Sequence, residues 1–197
     1  NEPNYEVLIR WFVAQGYLSQ SQHSKALEML VAAHRLDYDH PWIINDLIRV
    51  YAELGQWELL YRCINENYRK LPRKLIDNHY EDACWHQLNL LISNRDLFLE
   101  VWFSMPRSYQ RKERFEVLLI ETYYTNSDFD LAEKVILQLF KKQFNAEVMR
   151  IYLAIKEPSQ DLLTFMVKLH QRFTDNSVII KNIINISITT KSFETAI

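Results

Sequence analysis

The stretch that decides the fold is Pro41–Lys74, PWIINDLIRVYAELGQWELLYRCINENYRKLPRK. Ile44, Leu47, Ile48 and Tyr51 recur three and four positions apart, the period of one helix face and not of a strand. Leu54-Gly55-Gln56-Trp57 interrupts that pattern, and Gly55 can take the left-handed conformation that ends a helix. Leu60 and Ile64 then resume the helical period, and Pro72 closes it. The unit this predicts is a helix, a tight turn and a second helix.

The same unit recurs on both sides, one repeat upstream and again further down the chain. Thirty-four positions before Leu60 stands Ala26, followed by Leu30 and Ala33. Its first helix is predicted over Tyr5–Leu18, with Trp11, Val13, Ala14 and Tyr17 facing inward and Gln20–His23 as the turn. Downstream, Tyr123 precedes Phe129-Asp130-Leu131-Ala132, and Ile136, Leu139 and Phe140 follow at helical spacing. Phe193-Glu194-Thr195-Ala196 reads as one more second-helix start. This is the tetratricopeptide (TPR) pattern: W-x2-L-G-x2-Y on the first helix, A-x3-F on the second, and a closing proline. The central unit departs from it at Ile48 and Leu60, where small residues are usual, so its two helices should sit further apart.

Between the clear units the register is looser. Leu75–Ser93 reads as one long helix with Tyr80, Cys84, Leu88 and Leu91 on a stripe, and Asp96–Met105 as a short one ended by Pro106. Ala146–Ile155 is another short helix, Ser159 a cap for Leu162–Phe173, and Thr174 or Asp175 a cap for a helix reaching about Thr190. That last stretch is rich in Ile, but Ile180, Ile183, Ile184 and Ser187 keep the helical period. The expectation is an all-α chain of about twelve helices: antiparallel pairs stacked in a right-handed, TPR-like superhelix, with residues 1–197 as a single repeat domain.

Composition points the same way. The chain has 197 residues, 48% hydrophobic and 24% charged, but only two glycines and five prolines. Sheets with tight hairpins and α/β loops need more glycine than this, and paired helices need almost none. Net charge is -2, so no general basic excess asks for nucleic acid. Arg107, Arg111, Lys112 and Arg114 cluster, and read as a solvated helix start. Cys63 and Cys84 lack metal or redox spacing and fit a reducing compartment. No apolar run approaches the roughly 18 residues of a membrane span. The chain begins at Asn1 and stops at Ile197 within an opening helix, as expected of a piece of a longer protein.

Motifs of chemistry are missing. There is no phosphate loop, dinucleotide fingerprint, nucleophile elbow or HExxH. His79, Cys84 and His86 form the tightest group of potential ligands; the two histidines lie seven apart on one helix face and Cys84 points elsewhere. No metal site, cofactor or catalytic residue is expected. Trp11, Trp57, Trp85 and Trp102 are expected in the core.

A face of the first helices offers more. In a TPR unit that helix lines the groove. Here it presents Trp42, Asn45, Arg49 and Glu53, and in the later unit Arg114, Val117, Glu121 and Tyr124. Arg forks onto carboxylates, Asn hydrogen-bonds an extended backbone, and Trp and Tyr are hot-spot anchors. Trp42, Asn45, Arg49, Glu53, Arg114, Glu121 and Tyr124 are therefore the candidate partner-binding residues.

Three segments carry a family resemblance. They are Ala26–Ile64 (ALEMLVAAHRLDYDHPWIINDLIRVYAELGQWELLYRCI), Glu100–Tyr124 (EVWFSMPRSYQRKERFEVLLIETYY) and Asp128–Asn145 (DFDLAEKVILQLFKKQFN). In order and spacing they resemble the C-terminal TPR region of the bacterial HemY proteins, which are found with haem-biosynthesis genes. The Ile- and Asn-rich end departs from that pattern. The resemblance implies two membrane-spanning helices ahead of this region and a TPR domain on the cytoplasmic side of the bacterial inner membrane. It also implies a non-enzymatic scaffold for late haem (protohaem IX) enzymes. It does not point to the flavin-dependent protoporphyrinogen oxidase of the same name, because this chain has no flavin-binding fingerprint. Two other functions compete: direct haem or porphyrin binding, with His79, His86, Cys84 or tyrosines as ligands and arginines meeting the propionates, and a generic TPR module unrelated to haem.

Overall fold

The computed structural model describes residues 5–190. Among them are twelve α-helices and no strand. The fold is all-α and TPR-like. The helices are α1 (Tyr5–Ser19), α2 (His23–Leu36), α3 (Pro41–Glu53), α4 (Trp57–Asn67), α5 (Arg73–Leu90) and α6 (Arg95–Ser104), then α7 (Arg107–Gln110), α8 (Glu113–Thr125), α9 (Phe129–Phe140), α10 (Ala146–Ile155), α11 (Gln160–Arg172) and α12 (Ser177–Thr190).

One turn, used three times, makes the repeat visible. The amide of Gln22 donates to Tyr17 O at 2.9 Å, that of Gln56 to Tyr51 O at 2.9 Å, and that of Asp128 to Tyr123 O at 2.8 Å. Each bond closes over a residue in the left-handed region: Ser21 (φ 56°), Gly55 (φ 64°) and Ser127 (φ 62°). This is the Schellman way of ending a helix, in which a late amide turns back to satisfy an orphan carbonyl. The residue that donates in the turn then starts the next helix with its own carbonyl. Ala26, Leu60 and Ala132 donate back to Gln22, Gln56 and Asp128 at 3.0, 2.9 and 3.0 Å.

Packing divides the chain into two compact units. The first comprises residues up to Leu91 with Val101–Met105; the second comprises Ile92–Glu100 and the residues from Pro106 onward. In the first, Ala14, Ala26 and Ala33 are fully buried, and the α1–α2 pair is packed on them. Ile48 and Leu60 are fully buried too, at the positions where small residues are usual. In the second unit the core runs through Ile120, Ile136, Leu139, Phe140, Met149, Leu163, Met166 and Ile179. Burying each such side chain is worth about 1.5–3 kcal/mol.

Several sequence expectations change in detail. Val13 is 42% exposed and not inward; Val7 and Ala14 form the buried stripe of α1. Trp102 is buried, whereas Trp11, Trp57 and Trp85 are half-buried at the edges of helix pairs. Ser159 caps α11 as expected, accepting from the Leu162 amide at 3.2 Å. The cap of α12 is neither Thr174 nor Asp175. Asp175 has φ 64°, and Asn176 accepts from the amides of Val178 and Ile179 at 3.1 and 3.3 Å. On α12 the buried stripe is Ile179, Ile183, Ile186 and Ser187, while Ile180 and Ile184 are exposed. The unit start read at Phe193–Ala196 lies outside the described residues.

Candidate functional site

In the first unit, α1, α3 and α5 present one layer of first helices, and its polar centre is Asp46. This carboxylate sits on α3 among Ile43, Ile44, Leu47 and Ile48 and is itself buried. Burying a charge is costly unless it is hydrogen-bonded. Asp46 Oδ2 accepts from Trp11 Nε1 at 2.8 Å and from Gln15 Nε2 at 2.7 Å. Trp11 and Gln15 are one turn apart on α1, so a single helix face supplies both donors. Arg49 Nη1 stands 3.9 Å from the other oxygen, Oδ1.

Aromatic packing extends this junction. The Trp11 and Trp42 rings lie 5.3 Å apart, and His40 meets the Trp42 edge at 5.4 Å. Trp42 is thereby held on one side while 55% of it stays exposed. Along the same ladder Asn45 is half-buried, and Arg49 and Glu53 are exposed. On α5, His79 is half-buried beside them. Burial holds its imidazole below the ordinary value; the Arg49 guanidinium adds to the depression, and Glu53 and Asp82 oppose it. The result is an exposed indole, an amide, a guanidinium, a carboxylate and an imidazole on two neighbouring helices. That set can seat an apolar side chain and hydrogen-bond the backbone or carboxylates beside it.

Arg114, Glu121 and Tyr124 belong to the second unit and form a different surface. Arg114 places its guanidinium 5.5 Å over the Phe115 ring. Glu121 is half-buried on α8; burial raises its carboxyl, Glu147 adds to this, and Arg150 lowers it. Tyr124 stands one position off the register of Glu53, which falls on Thr125, and packs on Phe129 at 6.0 Å. Its ring serves the α8–α9 turn.

The proposed haem ligands are placed apart in their packing. His86 stacks flat on Trp57 of α4 at 4.0 Å, and His79 faces the charges of α3. Cys63 and Cys84 are buried free thiols, pushed by burial up to about 11 and about 12. Protonated thiols of this kind are poor metal ligands. Among the described residues no group of three or more His, Cys, Asp or Glu could hold a metal ion. Nor is any described helix long and apolar enough to cross a membrane.

Sequence reasoning expected Trp42 and Arg49 to be exposed, as they are, and did not single out Asp46 or Gln15. The signal was available: a lone Asp inside I-I-N-D-L-I, at a position the helical period turns inward. What the sequence could not supply was the partner helix that satisfies it.

No family model matches the chain, and no curated protein matches it. Among solved structures it is similar to one described as "MamA RS-1 ArsTM double mutant". That similarity has 15% identity and a TM-score of 0.40, and covers 93% of this chain and 96% of the other.

Proposed function

We propose that this chain is a non-enzymatic protein-interaction module that holds a partner segment against the α1–α3–α5 face of its first unit. The observation that carries this reading is the Trp11–Asp46–Trp42 junction. A buried, doubly hydrogen-bonded carboxylate fixes the base of a half-exposed indole, and pre-organised aromatic anchors of that kind dominate protein interfaces. The Asn45, Arg49 and Glu53 ladder beside it supplies polar groups that fix orientation.

The partner class we propose is the late haem-biosynthesis enzymes. The region would be tethered to the inner membrane by segments preceding it and face the cytoplasm. Its support is the resemblance of Ala26–Ile64, Glu100–Tyr124 and Asp128–Asn145 to the HemY proteins. A scaffold of this type would keep sparingly soluble porphyrins near successive enzymes without supplying chemistry itself. The test is affinity purification of the tagged full-length protein from gently solubilised membranes, with and without Trp42→Ala. Ferrochelatase or another late haem enzyme, recovered with the wild type and lost with the variant, is the expected result. Recovery of unrelated proteins that still depend on Trp42 removes the haem link and leaves the docking face. Recovery indifferent to Trp42 removes the docking face as well.

A further inference from the structure

A second site lies in the other unit and has different chemistry. Leu137, Phe140 and Lys141 of the α9 end, with Phe165, Lys168, Leu169 and Arg172 of α11, line an open cavity of about 370 Å³. That lies within the range of about 300–1,000 Å³ usual for small-molecule sites. The floor is apolar. Phe140 and Leu169 belong to the core, and Phe165 is braced by Tyr152 at 5.2 Å and Phe140 at 6.5 Å. The rim is cationic. Lys168 and Arg172 are one helical turn apart on α11, and Lys141 lines the same cavity from the end of α9. An Arg172 N–H donates to the Lys141 carbonyl, which ties the two sides of the mouth together. No carboxylate is among the lining residues.

Three cations around an apolar floor, with no lining acid to neutralise them, fit neither a neutral apolar ligand nor a bare inorganic anion. The first would make no use of the exposed rim cations; the second would leave the apolar floor uncovered. We infer that this cavity binds a small amphipathic carboxylate, a medium-chain fatty acid in chemical class. Its chain would lie on Phe165 and Leu137, and its head group would sit between Lys141, Lys168 and Arg172. Arginine's planar fork suits a carboxylate in this position.

The test is a titration of the 197-residue chain with decanoate, followed by the methyl resonances of Leu137 and Leu169. Saturable shifts at both leucines are expected. Lys168→Glu should weaken binding about tenfold, the size of one charge-assisted contact. The substitution is on an exposed side chain, so the fold should persist, and Lys181→Glu on α12 should change nothing. Decanol should bind at least as poorly as decanoate binds the Lys168→Glu protein. Silent leucine methyls, or equal responses to decanol and decanoate, overturn the assignment. So does a decanoate response that Lys168→Glu leaves intact. Saturation by a peptide ending in a phenylalanine carboxylate, with no response to decanoate, also overturns it and gives the pocket to protein chains.

Discussion

Trp11 Nε1 donates to Asp46 Oδ2 across 2.8 Å, joining the first helices of two successive pairs through one buried carboxylate. Gln15 shares the same oxygen at 2.7 Å, so removing Asp46 strands two donors at once. A buried donor left without its acceptor costs about 1–3 kcal/mol. Both donors are half-buried and partly reached by solvent, so Asp46→Ala should lower unfolding free energy by about 1–3 kcal/mol. Asp46→Asn keeps an acceptor oxygen and should lose less. Urea unfolding of both variants checks the order. If Asp46→Ala were as stable as the parent, the junction would contribute nothing to holding α1 on α3.

The three equivalent turns predict effects of opposite sign. Gly55, Ser21 and Ser127 hold nearly the same left-handed φ, but only Gly55 lacks a Cβ. A Cβ built on Gly55 meets nothing closer than Trp57 Nε1 at 3.6 Å, so space is not the obstacle there. Backbone conformation is. Gly55→Ala should destabilise by about 1–2 kcal/mol. Ser127→Gly relieves the same penalty but frees the unfolded chain, so a net gain of about 0.5 kcal/mol is expected. Thermal unfolding of the pair decides it; equal and like-signed shifts would remove the turn argument.

His79 gives the fold a pH dependence. Its pKa in the folded protein lies below the ordinary 6.5, chiefly through burial, then through Arg49. The unfolded chain therefore takes up the proton first. The contribution of neutral His79 is complete above about pH 6.5 and is lost as pH falls through the lower folded value. His34 is depressed too, by burial against the opposing charges of Glu66, Asp37 and Asp39, and acts in the same sense. Glu121, raised by burial, acts oppositely at lower pH. Denaturant midpoints at pH 7.5 and 5.5 should fall with acid, and His79→Gln should make that fall smaller. An unchanged pH slope in His79→Gln would show that the imidazole titrates alike in the folded and unfolded states.

The helices were legible in the sequence because their causes are local. The period of Ile44, Leu47, Ile48 and Tyr51, the break at Gly55 and the scarcity of glycine dictate paired helices without tertiary information. The burial of Ile48 and Leu60 was legible too, because both fall on the inward stripe of their helices. Ser21 and Ser127 were not, since serine carries no mark of the left-handed conformation that the turn imposes on it. The misplaced cap of α12 has the same origin: Thr174, Asp175 and Asn176 all suit a cap, and only the chain path selects Asn176. At the candidate face, exposed residues were found by helical register. Asp46 depends on what α1 brings across, and register on α3 alone is silent about that.

The docking face makes a prediction that separates binding from folding. Arg49 is exposed and only grazes Asp46 at 3.9 Å, so its charge can be reversed with little cost to the fold. Trp42 is different, because truncation also strips the Trp11 ring of a neighbour at 5.3 Å. Trp42→Ala should therefore lose some stability, while Arg49→Glu should lose almost none. Against a partner recovered from membranes, truncation of an interface tryptophan commonly costs 2 kcal/mol or more, so affinity should fall by about thirtyfold. Charge reversal at Arg49 should act more on association rate and salt dependence, since a rim charge steers encounter. Surface-based kinetics at two salt concentrations resolve the two effects. A partner that binds both variants as tightly as the parent, at both salt concentrations, does not use this face.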